Sequence, residues 1–231
     1  MTRYIDLSLG INEENTKRFI ECLPNNMKNW QTIFNVEITP IMTVKKDGRS
    51  IKRINMSTHC CTHIDVPAHF IENGRTLDQI PLDDLICEAI VVDVRNISQR
   101  RAILVTDLLE FDAGIRSAKA LLIRTGWFQE KFGTKEYFIA HPYLTPEAAD
   151  YLIECGIKLI GIDFPCIDQL ENIKIGKKLP MHVKILGNDL LMIEHIINME
   201  KIRKERFTLI ALPLNISGLD GLPTRVIAVE T

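Results

Sequence analysis

Four short apolar runs in the later part of the chain place the strongest limit on its fold. They are CEAIVVDV (87–94), AKALLIRTG (118–126), KLIGID (158–163) and FTLIALPL (207–214). Each is shorter than an ordinary core helix, and its composition is typical of a buried strand. Segments with helix signals lie between them. Strands that alternate with helices indicate an α/β fold with a partly parallel sheet.

The helix signals differ in completeness. LTPEAADYLIECG has Thr145 at the N-cap, Pro146 at the first helical position and Gly156 just past the end. TDLLEF predicts a short helix with Thr106 as its N-cap. NDLLMIEHIINMEKI (188–202) predicts a helix that begins at its Asn-Asp pair.

The first third of the chain is predicted to be β structure. VEITPIMTV and IKRINMST are separated by KKDGRS, whose Asp-Gly pair favours a hairpin. No repeat, low-complexity tract or long linker divides the chain. We therefore predict one domain over residues 1–231, with a mixed β-sheet core and flanking helices.

Charge and hydropathy exclude several classes of partner. Lys and Arg total 28 against 30 Asp and Glu, so a net charge of -2 gives no sign of nucleic acid or an anionic membrane. The N-terminus lacks a signal-peptide core, and no window approaches the ~18 apolar residues of a spanning helix. We expect a cytoplasmic protein whose six cysteines are reduced thiols.

The segment HCCTHIDVPAHF (59–70) holds three of the six histidines. On a helix, Asp65 would lie about 200° from His63, and Pro67 would end the helix at once. In an extended segment, His59, His63 and Asp65 alternate onto one side. Imidazoles and a carboxylate on one face suit Zn²⁺ or Mn²⁺. The alternative is a polar strand face with hydrogen-bonded histidines.

The neighbouring side chains are assigned on the same geometry. Cys60 faces away, whereas Cys61 shares the ligand face as either a soft ligand or a small residue that allows close approach. His141 is interpreted as a loop residue. His195 is turned ~100° from Glu194 on the predicted helix. His141 and His195 are therefore both left out of the site.

The run HCCTHIDVPAHF resembles the signature HxGTHxDxPxH of the metal-dependent cyclase family, which includes bacterial kynurenine formamidase and isatin hydrolase. RTGW (124–127), GIDFPCID (161–168) and FTLIALPLNISGLDGLPTRVIAVE (207–230) look like further blocks of that family, in family order. The resemblance covers most of the chain from about residue 50. It implies the swivelling β/β/α fold of the family and a homodimer or larger homo-oligomer.

The resemblance also implies a set of site residues. In the kynurenine formamidase branch two zinc ions are bound, and in isatin hydrolase one manganese ion. Carried over by position, the metal ligands would be His59, His63, Asp65, His182 and Glu194, with Asp65 as a bridge. His69 would be the proton donor and acceptor. One or two Zn²⁺ ions, or Mn²⁺, are therefore expected.

Two departures from the family concern the substrate pocket. The glycine of the signature is Cys61 here, and residues 11–50 do not match the proline-rich segment associated with substrate binding. Trp30 is predicted to provide an aromatic wall in its place. Phe70 and Trp127 are assigned either to the pocket or to core packing.

Four charged residues outside the signature receive predictions of their own. Asp163 is expected to orient a ligand histidine. Asp168 is assigned to a surface turn. Asp220 and Arg225 are interpreted as an internal ion pair without a site role.

The resemblance implies hydrolysis of a small amide, with N-formylkynurenine giving kynurenine and formate. Metal-activated water would attack the carbonyl, and His69 would act as acid and base. The alternatives are a cyclic-amide hydrolase similar to isatin hydrolase, a related lyase or cyclase, and a non-catalytic metal-binding protein. A closed structural site would have no use for the spare His69.

Overall fold

The computed structural model describes residues 1–97, 101–169 and 179–231. The strands are β1 Arg3–Asp6, β2 Glu37–Met42, β3 Ile51–Asn55, β4 His63–Asp65, β5 Ile86–Asp93, β6 Ala102–Ile103, β7 Ala120–Arg124, β8 Tyr143–Leu144, β9 Leu159–Ile162, β10 Leu191–Glu194, β11 Arg206–Leu212, β12 Gly221–Pro223 and β13 Arg225–Glu230. The helices are α1 Glu13–Cys22, α2 Gln31–Phe34, α3 Val44–Asp47, α4 Leu82–Leu85, α5 Val105–Leu108, α6 Asp112–Ile115, α7 Trp127–Lys131, α8 Glu136–Ile139, α9 Pro146–Glu154 and α10 Pro180–Gly187.

A mixed sheet forms the centre of the fold, as the sequence predicts. Its order is β1-β13-β11-β5-β7-β9-β10-β4-β12. The strands β5, β7, β9 and β10 are mutually parallel, whereas β11 and β4 pair antiparallel with the outer members of that group. The parallel strands are apolar on both faces because packed side chains cover each side, which explains their continuous apolar runs.

The predicted hairpin is present, but it lies apart from the main sheet. β2 and β3 pair antiparallel with each other in a sheet of their own. Almost every residue of the two strands is exposed. A two-stranded hairpin with no covered face is only marginally stable by itself.

The capped helix predicted from LTPEAADYLIECG is confirmed as α9. The Thr145 side chain accepts from Ala148 N, Pro146 is the first helical residue, and Gly156 has a φ of 81°. The short helix predicted from TDLLEF is also present. It begins at Val105 with Leu104 as its N-cap, so the prediction of Thr106 as the N-cap is wrong by two residues.

The helix predicted over residues 188–202 is wrong. Asp189 turns the chain with a φ of 64° after α10, and the next residues form the buried strand β10 between β9 and β4. Met199–Lys201 then makes a single 3-10 turn. Pairing on both edges and burial on both faces override the helical pattern of this segment.

The site lies where β4, β10 and the N-terminus of α10 meet. One turn of 3-10 helix, Pro67–His69, follows β4 directly. No helix in the described part of the chain is long and apolar enough to cross a membrane.

Candidate metal centre

A cavity of about 210 Å³ contains every side chain that the sequence assigned to the site. Its lining includes Trp30, His59, His63, Asp65, His69, His182 and Glu194. These residues come from four separate segments of the chain. The structure brings these residues together around one cavity, and their individual roles stay predictions.

Strand β4 supplies two of these side chains. His63 and Asp65 are two residues apart, so they point to the same face of the strand. In the register with β10, Glu194 lies opposite His63. His63 Nε2 is 3.2 Å from Asp65 Oδ1 and 3.7 Å from Glu194 Oε2. The antiparallel pairing thus places two carboxylates and an imidazole together in the protein interior.

A bend, and not a continued strand, brings His59 to the same place. Cys61 has a φ of 56°, in the left-handed region that favours glycine, and the carbonyl of Cys61 accepts a hydrogen bond from His63 Nδ1 at 2.9 Å. Across the sheet, a Cβ at Gly221 would lie 2.9 Å from His59 Cε1 and 2.6 Å from the Ile64 carbonyl oxygen. Residue 221 must therefore be glycine, because any side chain there would clash with the His59 imidazole.

The N-terminus of α10 presents His182. Asp168 caps this helix by accepting hydrogen bonds from Met181 N at 2.8 Å and His182 N at 3.0 Å. The same carboxylate accepts from His182 Nδ1 at 2.6 Å, which leaves Nε2 free for a ligand. Asp168 is buried, so its assignment to a surface turn is wrong.

The orienting role predicted for Asp163 is also wrong. Its carboxylate accepts hydrogen bonds from Thr125 N, Thr125 Oγ1 and Gly126 N. Burial raises the pKa of Asp163 to about 6, and these hydrogen bonds act against that rise. Asp163 therefore holds the loop after β7, while Asp168 orients the histidine.

Two buried carboxylate oxygens indicate that the residues fit a metal ion. Asp65 Oδ2 and Glu194 Oε1 have no hydrogen-bond partner within the described chain. His182 Nε2 faces both, at 3.9 Å from Asp65 Oδ2 and 3.5 Å from Glu194 Oε1. Buried, unpaired carboxylate oxygens are unfavourable. A cation bound among these three atoms would satisfy them, and nitrogen with oxygen is a donor set that Zn²⁺ and Mn²⁺ accept.

The other end of the cavity is built around Asp220. Asp220 Oδ2 lies 2.9 Å from His59 Nε2 and 3.2 Å from His69 Nδ1. The two imidazole rings stack with their centroids 3.9 Å apart. Arg225 pairs instead with Asp6 at 2.7 Å, so the predicted Asp220–Arg225 ion pair is wrong.

Charges inside the cavity shift the pKa values of its side chains. Burial lowers the pKa of His182, but its hydrogen bond to Asp168 and the nearby carboxylate of Glu194 outweigh burial and raise it to about 9. Burial also lowers the pKa of His59, but its hydrogen bonds to Asp220 and Asp65 raise the pKa by more, to about 10. Burial also acts on Asp65, but His63 and His59 hold its pKa well below the usual range. Protonated imidazoles therefore balance the negative charge of the Asp65 carboxylate, which stays ionised.

His195 lines the cavity, although the sequence analysis left it out because it placed residues 188–202 on a helix. Glu194 ends β10, and His195 follows with a φ of 58°, so both side chains line the cavity. Tyr137 Oη is 2.7 Å from His195 Nδ1. Burial raises the pKa of Tyr137 and lowers that of His195. His141 is buried too, with Nδ1 2.6 Å from the Pro142 carbonyl, so it is not an ordinary loop residue.

The rest of the cavity wall is apolar. Trp30, Phe34, Phe70 and Phe138 line it, which settles Phe70 as a cavity residue. Trp127 belongs to the core, where its indole Nε1 donates to the Tyr137 carbonyl at 3.1 Å.

The two adjacent cysteines lie in the core. The Cys60 and Cys61 sulfurs are 3.7 Å apart, and both residues are fully buried. Among the described residues, neither thiol belongs to a group with metal-ligand spacing.

Comparisons with known proteins show the family and the fold that the chain shares. The family model described as putative cyclase matches residues 5–169. Kynurenine formamidase from Bacillus cytotoxicus is 30% identical over 209 residues, which cover 89% of this chain and 92% of that protein. Kynurenine formamidase from Geobacillus thermodenitrificans is 32% identical over 176 residues, 76% of this chain and 78% of that protein. Isatin hydrolase A from Labrenzia aggregata, solved with benzyl benzoate, shares the fold with a TM-score of 0.83 at 22% identity over 100% of this chain and 94% of that one.

Proposed function

The chain belongs to the cyclase family of metal-dependent hydrolases, and from its cavity we propose that it hydrolyses a small aryl amide, with N-formylkynurenine as the first candidate substrate. The observation that carries the proposal is the pair of unpaired buried oxygens on Asp65 and Glu194, which face His182 Nε2. Kynurenine formamidases that match 89% of the chain support the choice of substrate.

The residues present would hold one or two divalent ions. One set is His59, His63 and Asp65, and the other is Asp65, His182 and Glu194, each with ligand atoms within 4.8 Å of one another. Asp65 is common to both sets and would bridge them. Zn²⁺ and Mn²⁺ both suit these donors. A bound ion supplies Lewis acidity, which polarises the amide carbonyl and lowers the pKa of water.

His69 is the residue proposed to move protons. Its Nδ1 lies 3.2 Å from Asp220 Oδ2, so Nδ1–H donates to the carboxylate and Nε2 is left to accept a proton. It would take the proton from the attacking water and deliver it to the leaving amine. Asp220 fixes the ring in that orientation.

The apolar wall supports an aromatic substrate. Trp30, Phe34, Phe70 and Phe138 line the same cavity as the carboxylates and histidines. An aryl ring packed there would exclude water, which strengthens the interactions at the reacting carbonyl. The compact volume of about 210 Å³ also suits a bicyclic amide, so a cyclic-amide hydrolase is the second candidate.

The exposed hairpin supports the homo-oligomer expected from the sequence. Ile38, Ile41, Val44 and Ile54 on β2, β3 and their connection are all more than half exposed. Apolar side chains grouped on an uncovered hairpin are typical of a surface that another chain covers. Light scattering on the purified protein would measure the assembly. The cytoplasmic location and the single domain stay predictions.

The test is turnover by the zinc-loaded protein with N-formylkynurenine and isatin in parallel assays, each with and without a chelator. Chelator-sensitive release of formate supports the formamidase, and chelator-sensitive ring opening of isatin supports the second candidate. Restoration with Zn²⁺ and with Mn²⁺ identifies the preferred ion. Absence of turnover on both, with bound metal confirmed by mass spectrometry, would count against these substrates.

A further inference from the structure

His195 is a cavity side chain that the proposed mechanism leaves unused. It is 2% exposed and lines the same cavity as the candidate ligands. One of its ring nitrogens lies within 4.8 Å of ligand atoms on His63 and Glu194. A polar ring is therefore held beside the place where the carbonyl would react.

Tyr137 determines which nitrogen of the ring carries the proton. Tyr137 Oη lies 2.7 Å from His195 Nδ1, and a phenol is protonated at neutral pH. When the phenol donates to Nδ1, the proton of the neutral imidazole is on Nε2. In the other neutral tautomer the phenol proton would have no acceptor among the described residues. Nε2–H is thus left as a donor for a group in the cavity.

The backbone of His195 has a conformation that residues other than glycine rarely adopt. Its φ of 58° lies in the left-handed region. Thr62 Oγ1 donates to the His195 carbonyl at 2.7 Å, and Leu9 N donates to Thr62 Oγ1 at 2.8 Å. In a continued strand, residue 195 would face away from the side that Glu194 occupies. The anchored turn places both on the cavity, and maintained strain of this kind clusters at functional sites.

We propose that His195 Nε2–H donates a hydrogen bond to the oxygen of the reacting carbonyl, and that Tyr137 is its positioning residue. The proposal rests on the proposed amide hydrolysis, in which negative charge develops on that oxygen. The His195 ring lies beside the candidate ligands His63 and Glu194, so a carbonyl that reacts at those ligands is within reach of its N–H. Phe19 and Phe34 surround the ring, and an apolar surrounding strengthens such a bond.

The test compares two substitutions in the metal-loaded full chain. His195→Phe removes the donor, whereas His195→Gln keeps an amide N–H at a similar reach. We expect His195→Phe to lower kcat about 100-fold with little change in KM, as for loss of one oxyanion donor. His195→Gln should recover at least tenfold of that loss. Tyr137→Phe should lower kcat by a smaller factor, because the ring remains but its tautomer is no longer fixed.

Metal content separates a donor from a ligand. The metal-to-protein ratio of His195→Phe should equal that of the wild type, and loss of metal would overturn the proposal. Tyr151→Phe is the control, since Tyr151 is buried and bonded to Asp112 and is not among the described residues that line the cavity. It should leave kcat within about twofold of the wild type. A kcat for His195→Phe equal to that of this control would also overturn the proposal.

A binding measurement keeps the inference testable if no substrate is turned over. Formate is the probe, with titration calorimetry on the metal-loaded proteins. We expect His195→Phe to bind formate about tenfold or more weakly than the wild type, because hydrogen bonds to charged groups contribute about 1.5–3 kcal/mol. His195→Gln should bind as the wild type does. Equal binding by wild type and His195→Phe, or no binding by the wild type, would overturn the donor role.

Discussion

Each end of the cavity has a histidine that is hydrogen-bonded to an aspartate. The two ends differ in how far these side chains are exposed to solvent. At one end, His182 and Asp168 are both almost fully buried and the carboxylate also caps a helix. At the other, Asp220 is 39% exposed and is shared between His59 and His69. The first is the buried end of the cavity, and the second is its open end.

The difference in exposure suggests a difference in task. At the buried end, solvent cannot replace a lost partner, so the Asp168–His182 bond fixes a lone pair for a ligand. At the open end, His69 can exchange protons with water while Asp220 holds its ring. The buried end is thus suited to holding a metal ion, whereas the open end combines the candidate ligand His59 with His69, which is placed for proton transfer.

The largest expected effect is a difference in metal content and turnover between substitutions of His182 and of His69. His182→Ala should lose most of its metal and all measurable turnover, because it removes a ligand at the buried end. His69→Ala should keep its metal and lose about 10²–10⁴-fold in kcat, the range for a general acid–base group. Mass spectrometry gives the metal content and steady-state kinetics the turnover. Normal turnover by His69→Ala would remove its proposed role.

The two aspartates provide the next comparison. Asp168→Asn should weaken metal binding about 10–100-fold, because His182 loses the acceptor that fixes its tautomer. Asp220→Asn should act mainly on kcat, since water reaches the open end and can partly replace the carboxylate. Metal affinity and kcat are measured for both. If the two variants lose affinity and kcat in the same proportion, the distinction between the ends is not functional.

The pH dependence of metal binding is the third test. In the metal-free protein the pKa values of His182 and His59 are raised from 6.5 to about 9 and about 10, so bound protons compete with the metal ion. Metal affinity should therefore rise from pH 6.5 to pH 9.

Stability of the metal-free protein should change in the opposite direction. A raised folded pKa gives stability that is complete below pH 6.5 and is lost as the pH rises through about 9 and about 10. The melting temperature of the metal-free protein should fall over that range. A melting temperature that does not change would show that the histidines are already neutral.

The smallest expected effect concerns the bend before β4. Cys61→Gly relieves the left-handed φ of 56° but removes a buried thiol and adds freedom to the unfolded chain. These contributions are each about 1 kcal/mol and oppose one another, so the free energy of unfolding should change by less than about 1 kcal/mol. Cys61→Val is the contrast, because a β-branched residue at this φ should destabilise the protein by about 2 kcal/mol. Urea unfolding measures both.

Local patterns predicted much of the fold because they depend on neighbouring residues. The capped helix at residues 146–154 has its start and stop signals within its own segment, and the hairpin has its Asp-Gly turn. Apolar run length identified β5, β7, β9 and β11. The prediction of a helix at 188–202 was wrong because this segment pairs with β9 and β4, which are distant in sequence. A local pattern carries no information about such pairing.

The sequence by itself determined part of the candidate site, since closely spaced His59, His63, Asp65 and His69 already carry the ligand chemistry and a family signature. Only the tertiary structure decided their partners. Asp168, Asp220 and His195 reach the cavity from 14 to 161 residues away from the groups that they contact. The reason is physical: hydrogen bonds between distant segments and left-handed turns depend on how the sheet is assembled, and no spacing along the chain encodes them.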